Sequence, residues 1–221
     1  MGYLYRLLGN MDVVETEKTK TTIVYYSSTG TNYQMALWAS EAAKAEGSEV
    51  RLVKVPETAP QALIDSTPGW KAHMEATKDI PVATEADLEW ADALIFSVPT
   101  RFGNITSQMQ SFIDTLGGLW FQGKLSNKAV SAMTSAQNLH GGQEAAILSL
   151  YTTMYHWGAI VAAPGYTDAV AGEANGNPYG TSATVSSEGK ITDDIPALKA
   201  AVQYQAMRTL SVGQALKVLN A

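Results

Sequence analysis

The stretch Ala93-Leu94-Ile95-Phe96-Ser97-Val98-Pro99-Thr100-Arg101-Phe102-Gly103-Asn104 reads as a buried parallel strand running straight into a polar loop. Pro99 lacks an N–H and fixes φ, so it ends the strand and stiffens the loop behind it. In open α/β sheets ligands bind beyond the carboxyl ends of the strands. Thr100 and Asn104 offer neutral donors and acceptors there, Arg101 a fixed cation, Phe102 an apolar plane, and Gly103 close backbone approach. That mixture suits a flat heterocycle with polar edges.

Outward from this junction, apolar strands alternate with amphipathic helices, the pattern of βαβ units around a parallel sheet. The first strand is read at residues 22–26, and the helix after it carries Met35, Ala36, Trp38, Ala39, Ala42 and Ala43 at helical spacing and ends at Gly47. A second strand is read at 50–55, a fourth at 128–133, and a fifth at 159–162 behind a helix over 143–156. Thr84-Glu85-Ala86-Asp87 resembles a capping box, a further helix spans 106–116, and Asp194 caps a last helix with Pro196 in its first turn. The expected architecture is a doubly wound, five-stranded parallel sheet with helices on both faces. Two stretches interrupt it. Residues 56–82 hold four prolines and one short helix near 61–65, and residues 165–191 read as a long loop rich in Gly, Asn and Ser.

The chain has 221 residues, 46% of them apolar, enough for one generous domain. Residues 1–20 read as an N-terminal extension and residues 21–221 as that domain. A formal charge of -6 and a pI near 5.0, with no clustered Lys and Arg, argue against nucleic acid as a standing partner. No cysteine is present, which excludes disulfides and thiolate sites and fits a reducing cytoplasm. His73, His140 and His156 lie far apart, so no metal site is expected, and no stretch reaches membrane-spanning length.

Ser27-Ser28-Thr29-Gly30-Thr31-Asn32 joins the first strand to its helix. Hydroxyls and a glycine at a helix N-terminus form an anion cradle, although an ordinary N-cap turn has the same composition. The absence of lysine argues against a triphosphate loop, and the missing G-x-G-x-x-G against a standard dinucleotide site. A terminal phosphate monoester fits better. A phosphate cradle after strand one and a planar-ligand loop after strand three face one crevice in a doubly wound sheet, and flavin mononucleotide (FMN) has both parts. The loop from Thr134 to Glu144 reaches the same edge.

The run Pro99 to Asn104, with Gly117-Gly118-Leu119-Trp120, Gly141-Gly142-Gln143-Glu144, His156-Trp157-Gly158 and Asn177-Pro178-Tyr179-Gly180, closely resembles the WrbA-type flavodoxin-like NAD(P)H:quinone oxidoreductases. The resemblance covers residues 21 to the C-terminus. It implies a flavodoxin-like domain with non-covalent FMN, a homotetramer, and two-electron reduction of quinones by NADH or NADPH. By position, Ser27, Ser28, Thr29, Gly30, Thr31 and Asn32 would hold the phosphate. Pro99, Thr100, Arg101, Phe102, Gly103 and Asn104 would hold the isoalloxazine. Ser135, Ala136, Gln137, Asn138, His140 and Gly141 would border the ribityl chain and ring. His156 would sit beside the flavin as a proton donor, Trp120 would line the quinone side, and Thr29 would meet the nicotinamide nucleotide.

The chain departs from that pattern in three places: Thr29 stands where many relatives carry an aromatic residue, the loop after strand four is a residue longer than the glycine-richer version of the pattern, and Trp157 replaces a second histidine seen in some members. Plainer roles stand beside these: His156 completing a helix dipole, Trp120 as core, Arg101 as a surface cation. A one-electron carrier like a true flavodoxin, or a regulatory flavin-binding protein, are the alternative functions. The two long excursions, larger than a carrier needs, favour the enzyme.

Overall fold

The computed structural model describes residues 17–219. The first sixteen residues of the expected extension lie outside the described residues, and its last, Lys20, already belongs to the first strand. In chain order the elements are β1 (Lys20–Tyr25), α1 (Thr31–Ala45), β2 (Glu49–Lys54), α2 (Gln61–Ser66), α3 (Pro68–Ala76), α4 (Glu85–Trp90), β3 (Ala93–Pro99) and α5 (Ser107–Asp114). Next come α6 (Gly117–Phe121), β4 (Ala129–Ala136), α7 (Gln143–Trp157), β5 (Ile160–Val161), α8 (Ala169–Glu173), β6 (Ser182–Thr184) and α9 (Ile195–Leu216).

Five strands pair in parallel in the order β2-β1-β3-β4-β5, the doubly wound arrangement expected. The chain reverses direction across the sheet between β1 and β3, so the crevice opens above their carboxyl ends. Side chains alternate across the sheet with period two. Val24 of β1, Tyr26 just after it and Leu94, Phe96 and Val98 of β3 pack into one core with α5 and α7. Ile23, Tyr25 and Ile95 pack into the other with α1 and α9. Every residue of β3 is buried, as a central parallel strand requires.

Two findings differ from the sequence reading. The expected fifth strand shrinks to Ile160–Val161, which pairs only with the start of β4, while a sixth strand, β6, pairs in parallel with the end of β4. One edge of β4 is thus shared by two short strands. The excursion between them, expected as loop, is fastened by Asn177-Pro178-Tyr179-Gly180. Asn177 Nδ2 donates to Ser182 Oγ at 2.7 Å, and Tyr151 Oη donates to the Tyr179 carbonyl at 2.7 Å. A Cβ on Gly180 would stand 2.0 Å from the Ala132 carbonyl oxygen, so only glycine lets this segment lie against β4.

The proline-rich excursion holds α3 as well as the expected α2. Its anchor is Glu57, whose carboxylate accepts from Tyr26 Oη at 3.0 Å, Trp70 Nε1 at 3.1 Å, Gln108 Nε2 at 2.9 Å and the N–H groups of Thr58 and Ala59. Burial by itself would raise the Glu57 pKa, but these donors outweigh it and hold the carboxyl below its ordinary value. The expected capping box is present: Thr84 N–H donates to Asp87 Oδ2 at 3.0 Å.

Candidate active site

The loop from Ser27 to Gly30 leaves β1 and enters α1 through Gly30, which has φ +104°. Gly30 N–H donates to Ser27 Oγ at 2.9 Å, so this amide tightens the loop while the next N–H groups, in the first helical turn, stay free of side-chain caps. Asn32 is buried. Its Nδ2 donates to Ser97 Oγ at 3.2 Å, and its Oδ1 accepts from Ser135 Oγ at 2.6 Å, which ties α1 to β3 and β4 beneath the loop.

Beyond β3, Arg101 and Asn104 exchange two backbone hydrogen bonds, of 2.7 and 2.9 Å, around Phe102 and Gly103. Both central residues have positive φ, +53° and +78°, which makes a two-residue type I′ hairpin. A phenylalanine in the left-handed region is strained by about 1 kcal/mol. The turn holds its ring fully exposed at the rim of the crevice. Gly142 pins the hairpin, since a Cβ there would lie 2.7 Å from Gly103 Cα. At the base, Thr100 N–H donates to the Ser135 carbonyl at 2.8 Å. Arg101 Nη2 reaches Ser28 Oγ at 3.3 Å, linking this hairpin to the first loop.

Between these loops lies a cavity of about 400 Å³. Ser27, Ser28, Thr29, Thr31 and Asn32 line one end, Pro99, Thr100, Arg101 and Phe102 one wall, and Ser135, Ala136, Gln137, Asn138 and Gly141 another. The sequence reading missed the remaining wall, Val185, Ser187 and Gly189. They belong to a small hairpin closed by a Val185–Ile191 bridge and a turn through Ser186 to Lys190. The Gly189 carbonyl accepts from Thr31 Oγ1 at 2.9 Å, so the hairpin tip rests on the first loop. These residues lie inside the stretch 165–191 read as a long loop, and nothing local placed that part of it over residue 29.

Several expected site residues lie outside this cavity. Gly30 and Gly103 shape its walls without lining it. Asn104 closes the hairpin and accepts from Ser149 Oγ at 2.9 Å through its side-chain oxygen, so it braces α7. His140 is exposed on the loop after β4, off the cavity wall. His156 sits in the last turn of α7, whose first turn touches the cavity rim at Gly142; at 1.5 Å per residue the separation is about 20 Å. Within one chain it therefore cannot stand beside a ligand in the cavity. Trp120 is at that far end too, its Nε1 donating to the His156 carbonyl at 2.8 Å. Trp120, Phe121, Tyr155 and His156 all face outward there. Among the described residues no group of three His, Asp or Glu side chains is placed to hold a metal ion, and no helix is long and apolar enough to cross a membrane.

A doubly wound α/β fold whose hydroxyl-rich loop at the start of α1 shares one cavity with the Phe102 hairpin defines the class. A solved structure described as a flavodoxin, WrbA-like protein from Agrobacterium tumefaciens superposes with a TM-score of 0.56 at 20% identity, covering 88% of this chain and 98% of that one. The sequence profile of the NADPH-dependent FMN reductase family matches residues 21–172, and the chain belongs to that family. Among its relatives, a protein of Deinococcus radiodurans named NAD(P)H dehydrogenase (quinone) is 55% identical over 197 residues, 89% of this chain and 96% of the relative. One of the same name from Methylocella silvestris is 37% identical over 202 residues, 90% of this chain and 98% of the relative.

Proposed function

We propose that this protein binds FMN in the cavity between the loops after β1, β3 and β4 and reduces quinones to hydroquinones with NADH or NADPH. The observation that carries the reading is the pairing, in one crevice, of a lysine-free cradle at the start of α1 with the hairpin presenting Phe102 and Arg101. When bound, FMN supplies the two-electron chemistry between nicotinamide and quinone. The relatives' shared name supports that activity.

The chain's own residues bind and orient. Ser28, Thr29, Thr31 and the N–H groups of the first turn of α1 hold the phosphate with neutral donors and the positive helix end. Thr100, Arg101 and Phe102 hold the ring, with Arg101 as the one cation among the described residues that line the cavity, suited to offset negative charge gathered on a reduced cofactor. Thr29, exposed at the rim, meets the nicotinamide nucleotide.

The protein acts as a homotetramer in the cytoplasm. An exposed aromatic cluster that in its own chain faces no cavity supports assembly, and Trp120 and His156 then border the flavin site of a neighbouring copy, His156 as proton donor. The decisive assay follows NADH and NADPH oxidation by FMN-loaded protein with and without benzoquinone. Quinone-dependent turnover is expected; bound flavin without turnover would leave a carrier. Phe121→Glu should yield smaller species by sedimentation and lose turnover while still binding FMN, and an unchanged assembly would refute the role of this face.

A further inference from the structure

A second cavity of about 170 Å³ lies on the other side of the first loop, lined by Tyr25, Tyr26, Ser27, Lys54, Glu57, His73 and their neighbours. Among the described residues it shares only Ser27 with the main cavity. His73, on α3, faces Gly30: a Cβ on that glycine would lie 3.6 Å from His73 Nδ1. The imidazole packs against Tyr33 of α1, ring centroids 5.6 Å apart, and Tyr33 packs on Tyr25 at 5.2 Å. The Tyr25 hydroxyl is buried with no hydrogen-bond partner among the described residues.

A phosphate monoester carries between one and two negative charges near neutral pH, yet the cradle offers neutral donors and a helix end worth roughly half a charge. Arg101, the single cation lining the main cavity among the described residues, is committed to Ser28 Oγ and to the Thr100 carbonyl. One peptide thickness behind Gly30 stands an ionisable group that can add a full charge. We infer that His73 is the switchable counter-charge of the cradle, neutral in the empty protein and protonated when a phosphate enters. This rests on the proposed placement of the FMN phosphate at residues 27–32.

The surroundings support the direction. Burial, and then the neighbouring Lys54 ammonium, hold His73 below the ordinary histidine value without a ligand. The other titratable groups facing the same cavity are Tyr25 on β1, Tyr26 just after it and Glu57 after β2, while Tyr33 of α1 packs on the imidazole. Burial keeps Tyr25 and Tyr26 protonated, and the Glu57 carboxylate is taken up by its five donors. On α3 itself, Lys71 pairs with Asp65 and Glu75 with Lys78.

Linkage fixes the sign: a ligand that raises the His73 pKa binds more tightly to the protonated protein. The gain is complete below the value in the empty protein and lost as pH rises through the value in the complex. An opposite charge across one peptide should raise it by about one unit, so protonation should tighten phosphate binding about tenfold.

The chain has three histidines, so each imidazole resonance can be assigned with single His→Gln variants and titrated by NMR in apoprotein, with FMN, and with riboflavin, which lacks the phosphate. FMN should raise the His73 pKa by about one unit and riboflavin should leave it at the apoprotein value. In His73→Gln, checked for native circular dichroism, the wild-type advantage in FMN dissociation constant should be about tenfold greater at pH 5 than at pH 8. Comparing the two proteins at each pH cancels the ionisation of FMN itself. FMN binding much tighter than riboflavin with an unmoved His73 pKa would overturn the inference alone. Equal affinity for FMN and riboflavin would overturn the phosphate placement as well.

Discussion

Gly142→Ala tests how the cavity is held open. Gly142 has φ +87°, where an alanine is strained by about 1 kcal/mol. Its new Cβ would also stand 2.7 Å from Gly103 Cα and 3.3 Å from Gly103 N, backbone atoms that yield only if the Phe102 hairpin moves. Overpacking of this kind adds about 1–3 kcal/mol, for a total of about 2–4 kcal/mol. For a chain of this size the melting temperature should fall by roughly 5–15 °C. Gly123→Ala is the control, because Gly123 also has positive φ, +71°, but nothing within 4 Å of its Cβ. It should cost about 1 kcal/mol, the strain alone. The assays are thermal unfolding of the apoprotein and fluorescence titration with FMN. Gly142→Ala should weaken FMN at least tenfold, and Gly123→Ala should leave it unchanged. Equal melting temperatures for the two variants, with FMN affinity intact in both, would refute the pinning of the hairpin by Gly142.

Three further outcomes are expected. Glu57→Gln should cost about 1–3 kcal/mol in urea unfolding at pH 7, because the charge that strengthens its hydrogen bonds is gone. The folded carboxyl titrates below its ordinary value, so this stability is complete above about 4.5 and lost as pH falls through the folded value; the gap to wild type should narrow in acid. Gly189→Ala, whose Cβ would meet Thr29 Oγ1 at 2.3 Å, should lift the hairpin tip and raise the FMN dissociation constant severalfold in a fluorescence titration, and an unchanged constant would refute the seating of the tip on Thr29. Burial pushes the Lys128 ammonium down to about 8, while the unfolded chain keeps its proton up to the ordinary lysine value near 10.5. Wild type should therefore gain stability over Lys128→Met as pH rises from 8 toward 10, and parallel denaturation curves across that window would exclude it.

The sheet was legible because its signals are local. The all-apolar run ending at Pro99, the helical spacing from Met35 to Ala43 and the caps at Thr84 and Asp194 each name their own element. The lining of three walls could be read from where parallel strands end. The fourth wall could not, because it depends on Gly189 meeting Thr29 and Thr31 across more than 150 residues, a contact no local pattern encodes. The same limit explains α3 and His73. Four prolines made residues 56–82 read as irregular, yet Pro68 sits in the first turn of α3, where proline starts a helix. His156 shows a different limit. Its motif pointed to the flavin, while α7 carries it to the far end of its own chain, a displacement that only counting helical rise reveals.

A crystal structure of the FMN-loaded assembly tests the central claim most directly. It should show one flavin per chain in the crevice above β1, β3 and β4, its phosphate against residues 28–32 and its ring against residues 100–102, with Trp120 and His156 of a second copy closing the site. Flavin bound elsewhere, or a crevice without a neighbour's Trp120, would contradict it.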